Sequence, residues 1–248
     1  MNTPTTPPKP QPVDLMIDIE TMGNTPGAAI LSIGAVFIKD GKLAEEFYQH
    51  IDLESCGWVG LHMDAGTVQW WMKQSDDARA AITLEKGEHI NHVLLSFIDW
   101  VMQSTKGHIN EISVWGNSST FDVVLMEEAF RKCEMDIPWK FWGHRCYRTL
   151  KNLFPGVPKP EFTGIKHHAL DDAKFQALHL INILNHINCL QNVFDSATNP
   201  PQTNEQENPT IQSPGFVQDL NSPECPVCGK DGPICPAQDP AAGVPGTP

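Results

Sequence analysis

Leu15-Met16-Ile17-Asp18-Ile19-Glu20-Thr21 is an apolar run that closes on two carboxylates. Its length and its isoleucines predict a buried strand. Residues two apart on a strand share a face, so Asp18 and Glu20 are expected side by side at one end of a sheet. Two like charges held so close need a counter-charge, and a divalent cation is the usual one.

Outward from that run, the apolar pattern predicts strands over 14–20, 29–39 and 44–52. Lys39-Asp40-Gly41-Lys42 forms the hairpin turn between the last two. A helix is expected over 64–74 with Asp64 as its N-cap. A longer one is expected over 87–104, where Ile90, Val93, Leu94, Phe97, Ile98 and Val101 make one stripe. Ile112–Asn117 reads as a further strand, followed by helices over 120–133, 145–153 and 169–190. This order predicts an α/β protein, a mixed β-sheet covered by α-helices.

Two later segments can meet the first. Asn117-Ser118-Ser119-Thr120-Phe121-Asp122 lies where a strand gives way to a helix, with Ser119 or Thr120 as cap and Asp122 in the first turn. His167-His168-Ala169-Leu170-Asp171-Asp172 opens the last helix. Taken singly, each has an ordinary reading: a capping or dipole role for Asp122, a plain helix start at His167, a chance Asp-x-Glu at Asp18. Taken together, all three fall at strand ends or helix starts that one sheet edge can gather. Four carboxylates and one histidine there make a two-metal phosphoryl-transfer site.

The set Asp18, Glu20, Asp122 and His167 with Asp172 resembles the DnaQ-like, or DEDDh, 3′–5′ exonucleases. Those carry Asp-x-Glu on the first strand, an Asp after a later strand and His-x-x-x-x-Asp on a late helix. Further segments are similar to the RNase T-like branch of bacterial and phage 3′–5′ exoribonucleases, which includes exonuclease VIII-like prophage proteins. They are Asp64–Trp71, Trp115–Asn117, Pro138–Trp142, Arg145–Leu150 and His168–Ala173, within a likeness spanning roughly residues 14–190. Many members carry a small or polar residue where His168 stands, and the five-residue step to Asp172 selects His167.

The resemblance implies an RNase H-like sheet and hydrolysis from the 3′ end of single-stranded RNA or DNA, or of 3′ overhangs, releasing nucleoside 5′-monophosphates. It implies that Asp18, Glu20, Asp122 and Asp172 hold two Mg²⁺ or Mn²⁺ ions, hard cations that suit all-oxygen ligation. His167 would be the general base, since an imidazole titrates near neutral pH. Many relatives are dimers, so a homodimer is among the expected partners. Met22 and Phe121 are candidates to pack on the terminal nucleotide. Trp70 and Trp71 can line the pocket, although adjacent helical residues face apart and one is expected in the core. Arg145 and Arg148, read as one helical face, either hold a phosphate or cover the sheet edge.

Composition bounds the alternatives. A net charge of −13 over 248 residues argues against a long basic groove for duplex DNA and suits a soluble cytoplasmic protein. No apolar run approaches a membrane span, and the first residues show no signal-peptide pattern. The expected organisation is a disordered leader over 1–12, the exonuclease domain over 13–195 and a flexible Pro-rich tail over 196–248. Cys56, Cys133, Cys146 and Cys189 are expected as reduced thiols. Cys225, Cys228 and Cys235 resemble half of a zinc ribbon, but lack a fourth ligand nearby, so Zn²⁺ there is one reading among several.

Three rival functions remain at this level. A haloacid-dehalogenase phosphatase would need Asp-x-Asp-x-Thr, and Asp18-Ile19-Glu20-Thr21 has neither the second Asp nor the spacing. A catalytically weak nucleic-acid-binding protein conflicts with five intact site residues. A protein-interaction role of the tail can coexist with catalysis.

Overall fold

Val13–Thr21 forms β1, the middle strand of a five-stranded sheet of order β3-β2-β1-β4-β5 in a computed structural model that describes residues 13–83 and 86–198. Strands β2 (Ile30–Lys39) and β3 (Lys42–His50) run antiparallel to their neighbours, while β4 (Ile112–Gly116) and β5 (His144–Cys146) run parallel to β1. This is the expected mixed sheet, with an RNase H-like order. The hairpin turn also falls where expected: Asp40 and Gly41 both take positive φ, as a two-residue turn matched to strand twist requires. The leader, the residues from 199 onward and the three tail cysteines lie outside the described residues.

Alternation along β1 sorts its side chains into two cores. Leu15, Ile17 and Ile19 pack against Val93, Leu94, Phe97 and Val101 of α4 (Ile90–Thr105) and Leu125, Met126, Ala129 and Phe130 of α5 (Val124–Lys132). Met16 packs the other way, against Tyr147 of α6 (Tyr147–Leu153) and Ala173, Ala177, Leu180 and Ile183 of α7 (Ala169–Thr198). Burial of each such large apolar side chain stabilises the fold by about 1.5–3 kcal/mol. Asp18 and Glu20 share parity with Met16, so both carboxylates lie on the α7 side.

Smaller elements complete the layer. Helix α1 (Leu53–Trp58) starts where Asp52 leaves the sheet and its carboxylate accepts the Glu54 amide. Asp64 caps α2 (Ala65–Trp71) as expected, accepting the amides of Gly66 and Thr67. Helix α3 (Asp76–Thr83) follows, and α4 is capped by the His89 ring. Two expectations need correction. The segment 145–153 is not one helix, because β5 occupies His144–Cys146 and only Tyr147 onward is helical. The cap before Asp122 is Ser118, not Ser119 or Thr120: its Oγ accepts the Thr120 amide, and Ser119–Val123 forms a wide π-type turn.

The chain divides into two compact units, Met1–Gln191 and Asn192–Pro248. The first holds the sheet. Of the second, the end of α7 to Thr198 is described. Among the described residues, Cys56, Cys133, Cys146 and Cys189 are free thiols, and Cys56 alone of them is fully buried. No helix among them is long and apolar enough to cross a membrane.

Candidate active site

Asp18 is paired across the sheet with Gly34 of β2. That glycine is where α7 begins: a Cβ on it would stand 2.1 Å from the Ala169 carbonyl carbon and 2.2 Å from the Leu170 nitrogen. Only a residue without a side chain lets the helix start so close to the sheet. The first turns of α7 therefore lie over Asp18 and Glu20. Gln176, buried on the same helix, donates from Nε2 to Asp18 Oδ1 at 2.7 Å.

Asp122 arrives from β4. Its side chain packs on Gly116, where an added Cβ would come within 2.8 Å of Asp122 Oδ2. The residue is 2 % exposed, and Oδ2 is buried with no hydrogen-bond partner among the described residues. A buried, unpaired carboxylate oxygen is costly, and its carboxylate lies within electrostatic range of Asp18 and Glu20.

The start of α7 supplies the rest. His167 takes positive φ, which puts its backbone N–H within 2.8 Å of Asp172 Oδ2. One ligand atom each from Glu20, His167 and Asp172 lie within 4.8 Å of one another. The His167 ring meets Trp70 edge-on at 5.1 Å and Trp71 at 6.1 Å. Trp71 is itself fixed, its indole donating to the Thr21 carbonyl. His168 turns elsewhere: it stacks on Tyr48 at 4.2 Å, and its Nδ1 lies 3.4 Å from Asp171 Oδ2. The adjacent acids divide likewise, for Asp171 accepts the Ile165 amide and ties the preceding loop.

Electrostatics report the crowding. Burial pushes Asp18 well above the usual carboxylate range, helped by Asp122, Glu20 and Asp172 and opposed by the Gln176 hydrogen bond. Burial, then Asp172 and Asp122, push Glu20 up to about 8. Burial raises Asp122 to about 7 against the pull of the Asn117, Asp122 and Ile19 amides and of Arg148. Asp172 is raised by burial too, and held back by the backbone and ring of His167. A donor set of carboxylate oxygens with one imidazole, unable to ionise fully alone, fits divalent cations.

The other expected residues scatter. Trp70 is 43 % exposed beside His167, whereas Trp71 is core. Met22 and Phe121 are half-buried and pack against the main core. Arg145 and Arg148 do not share a helical face. Arg145 is on β5 and donates to the Trp142 and His144 carbonyls, while Arg148 is on α6 and donates to the Asn117 carbonyl at 2.6 Å. Gln176 and Gly34 were not among the expected residues. A glycine inside an apolar strand marks close backbone approach, and Gln176 lies one turn beyond Asp172 on the same face.

Comparison with known proteins agrees with this geometry. The family described as 3′–5′ exoribonuclease Rv2179c-like domain matches residues 13–184. No curated protein matches the chain. Among solved structures, E. coli Exonuclease I in complex with a dT13 oligonucleotide superposes with a TM-score of 0.51 at 14 % identity, over 75 % of this chain and 44 % of that one. Apo exonuclease I gives 0.51 at 16 % identity, over 75 % and 45 %. A 3′-exonuclease solved for 3′-end-specific recognition of a histone mRNA stem-loop gives 0.50 at 14 % identity, over 72 % and 84 %. The chain thus spans less than half the length of the exonuclease I chains, and at these identities the likeness is one of fold.

Proposed function

The chain belongs to the Rv2179c-like family of 3′–5′ exoribonuclease domains, and from that membership we propose that it shortens single-stranded RNA, or single-stranded 3′ overhangs, from the 3′ end, releasing nucleoside 5′-monophosphates. The family's description as an exoribonuclease domain supports RNA. The reading is carried chiefly by one observation: ligand atoms of Glu20 on β1 and of His167 and Asp172 at the start of α7 lie within 4.8 Å of one another, while Asp122, whose charge acts on Asp18 and Glu20, keeps a buried oxygen without a donor among the described residues.

Asp18, Glu20, Asp122 and Asp172 would hold two Mg²⁺ or Mn²⁺ ions, which when bound supply Lewis-acid activation of water and stabilisation of the departing 3′ oxygen. His167 takes the proton from the attacking water. Water oxygen bonds to phosphorus, the bond from phosphorus to the 3′ oxygen breaks, and that oxygen takes a proton from solvent to become the new 3′-hydroxyl of the strand. Asp172 stabilises the imidazolium that forms, and the rings of Trp70 and Trp71 restrict how the imidazole can turn. Trp70 also offers an exposed ring to the terminal nucleotide, and Met22 and Phe121 are the further candidates to pack on it. Arg148, in electrostatic range of Asp122, meets a phosphate, and Arg145 lies further out.

The test is a time course on 3′-labelled and 5′-labelled RNA and DNA single strands with Mg²⁺, Mn²⁺ or EDTA, run beside Asp18→Ala. Stepwise, metal-dependent shortening of RNA from the 3′ end, absent in Asp18→Ala, is expected. Metal-independent cleavage, or none of either polymer, would overturn the reading.

A further inference from the structure

Cations are unevenly placed on this acidic chain. Residues 137–160 contain five Lys and Arg and no Asp or Glu, in a protein of net charge −13. The segment runs from the end of α5 through β5 and α6, along the edge of the sheet nearest Asp122. Elsewhere, Lys39, Arg79, Arg131 and Lys174 each pair with a carboxylate. Here, among the described residues, Arg145, Arg148, Lys151 and Lys159 have no carboxylate at ion-pair distance. Neutral oxygens hold the first three instead.

Asn117 is the hub. Its carbonyl accepts from Arg148 Nη2 at 2.6 Å and its side-chain oxygen from Lys151 Nζ at 3.0 Å. The same residue begins the turn that carries Asp122. Lys151 is pulled down by burial and then by the like charges of Arg148 and Lys159, partly offset by Cys146, so these cations crowd one another. Arg145 continues the line along β5 to the Trp142 carbonyl. There Phe141 and Trp142 are 77 % and 55 % exposed, two large rings set edge to face at 5.1 Å. Trp142 lies in a single 3₁₀ turn, Phe141–Gly143, that leads directly into β5.

Building on the exonuclease reading, we propose that this edge is the track for the single strand 5′ of the scissile phosphodiester, its phosphates lying on Arg148, Lys151, Lys159 and Arg145 and a base stacking on Trp142. Unpaired cations beside exposed rings are what sequence-independent binding of single strands requires. The acidic remainder of the surface repels a second strand, so duplex is excluded from the track by charge.

The test is anisotropy of fluorescein-labelled RNA strands of 2, 6 and 12 nucleotides, and of a blunt 12-base-pair duplex, with the full chain in EDTA, where no strand is shortened. Affinity should rise with strand length and be lowest for the duplex. With four cations engaged, log affinity should fall with log salt at a slope near −2.8, about −0.7 for each single-strand contact. Lys151→Gln with Lys159→Gln should weaken the 12-mer about tenfold and flatten the slope by about 1.4. Trp142→Ala should weaken it about fivefold or more with the slope unchanged. Lys42→Gln with Lys132→Gln removes equal charge elsewhere and should do neither. Equal loss in both lysine pairs, binding independent of length, or tight duplex binding would overturn the track. Shortening in Mg²⁺ is scored separately: a protein that shortens RNA yet binds 12-mers equally in all variants keeps the exonuclease reading and loses the track. A protein that binds as described but never shortens does the reverse.

Discussion

Glu127 and Asp122 stand five residues apart, and both are nearly out of reach of water, at 8 % and 2 % exposed. Glu127 is satisfied on every side. Arg131 Nη2 donates to one oxygen at 3.0 Å, Trp139 Nε1 donates to the other at 3.1 Å, and His144 Nε2 lies 2.8 Å from that same atom. It joins α5 to the chain entering β5. Asp122 has an oxygen with no donor among the described residues and two acids, Asp18 and Glu20, for neighbours. A buried carboxylate that the protein itself neutralises is part of the scaffold. One left incomplete among like charges requires something from outside.

Substitutions can break that contrast. The largest effect is expected at His167→Ala, which should slow hydrolysis by about 10²–10⁴-fold while melting temperature stays near wild type; equal turnover would remove its role as base. Glu127→Ala should show the opposite pattern. It strands the Trp139 indole N–H and should cost about 1–3 kcal/mol of stability, read by urea unfolding, with activity per folded molecule retained. Gln176→Ala should weaken metal affinity about 10–100-fold, seen as activity that recovers at high Mn²⁺. If added metal restores nothing, Gln176 supports packing rather than the orientation of Asp18.

The smallest effect sharpens the comparison through pH. The site carboxylates titrate higher in the folded protein than in the unfolded chain, Glu20 near 8 and Asp122 near 7. The folded state therefore holds protons that the unfolded state has released, and metal-free stability is greatest in acid and declines as pH rises through those values. The metal-free melting temperature should fall by a few degrees between about pH 5 and 8. Mn²⁺ should raise it far more at pH 8 than at pH 5. A flat profile without metal would mean that the acids are not crowded.

Most of the sheet was legible because β1 and β2 are nearly continuous apolar runs and the hairpin turn has one chemistry. The acids were legible because Asp18, Glu20, Asp122 and Asp172 sit at element ends. What escaped notice was short or non-local. Strand β5 is three residues long, too brief to announce itself against the helical pattern that follows, and reading it as helix wrongly put Arg145 and Arg148 on one face. Ser118 caps a wide turn whose spacing differs from that of an α-helix. Gln176 reads as an ordinary polar position until Asp18, 158 residues earlier, is laid beneath it.

Gly34 has a consequence of another kind. Because α7 seats directly on the β2 backbone, the gap between the layer bearing Asp18 and the layer bearing Asp172 is set by two main chains in contact, with no rotamer between them. The site thus has a fixed gauge: side-chain mobility that softens the rest of the interior cannot stretch it. The same arrangement leaves no tolerance. A single methyl at position 34 would act as a wedge against Ala169 and Leu170, lifting His167, Asp172 and Gln176 together while every charge in the site stayed the same.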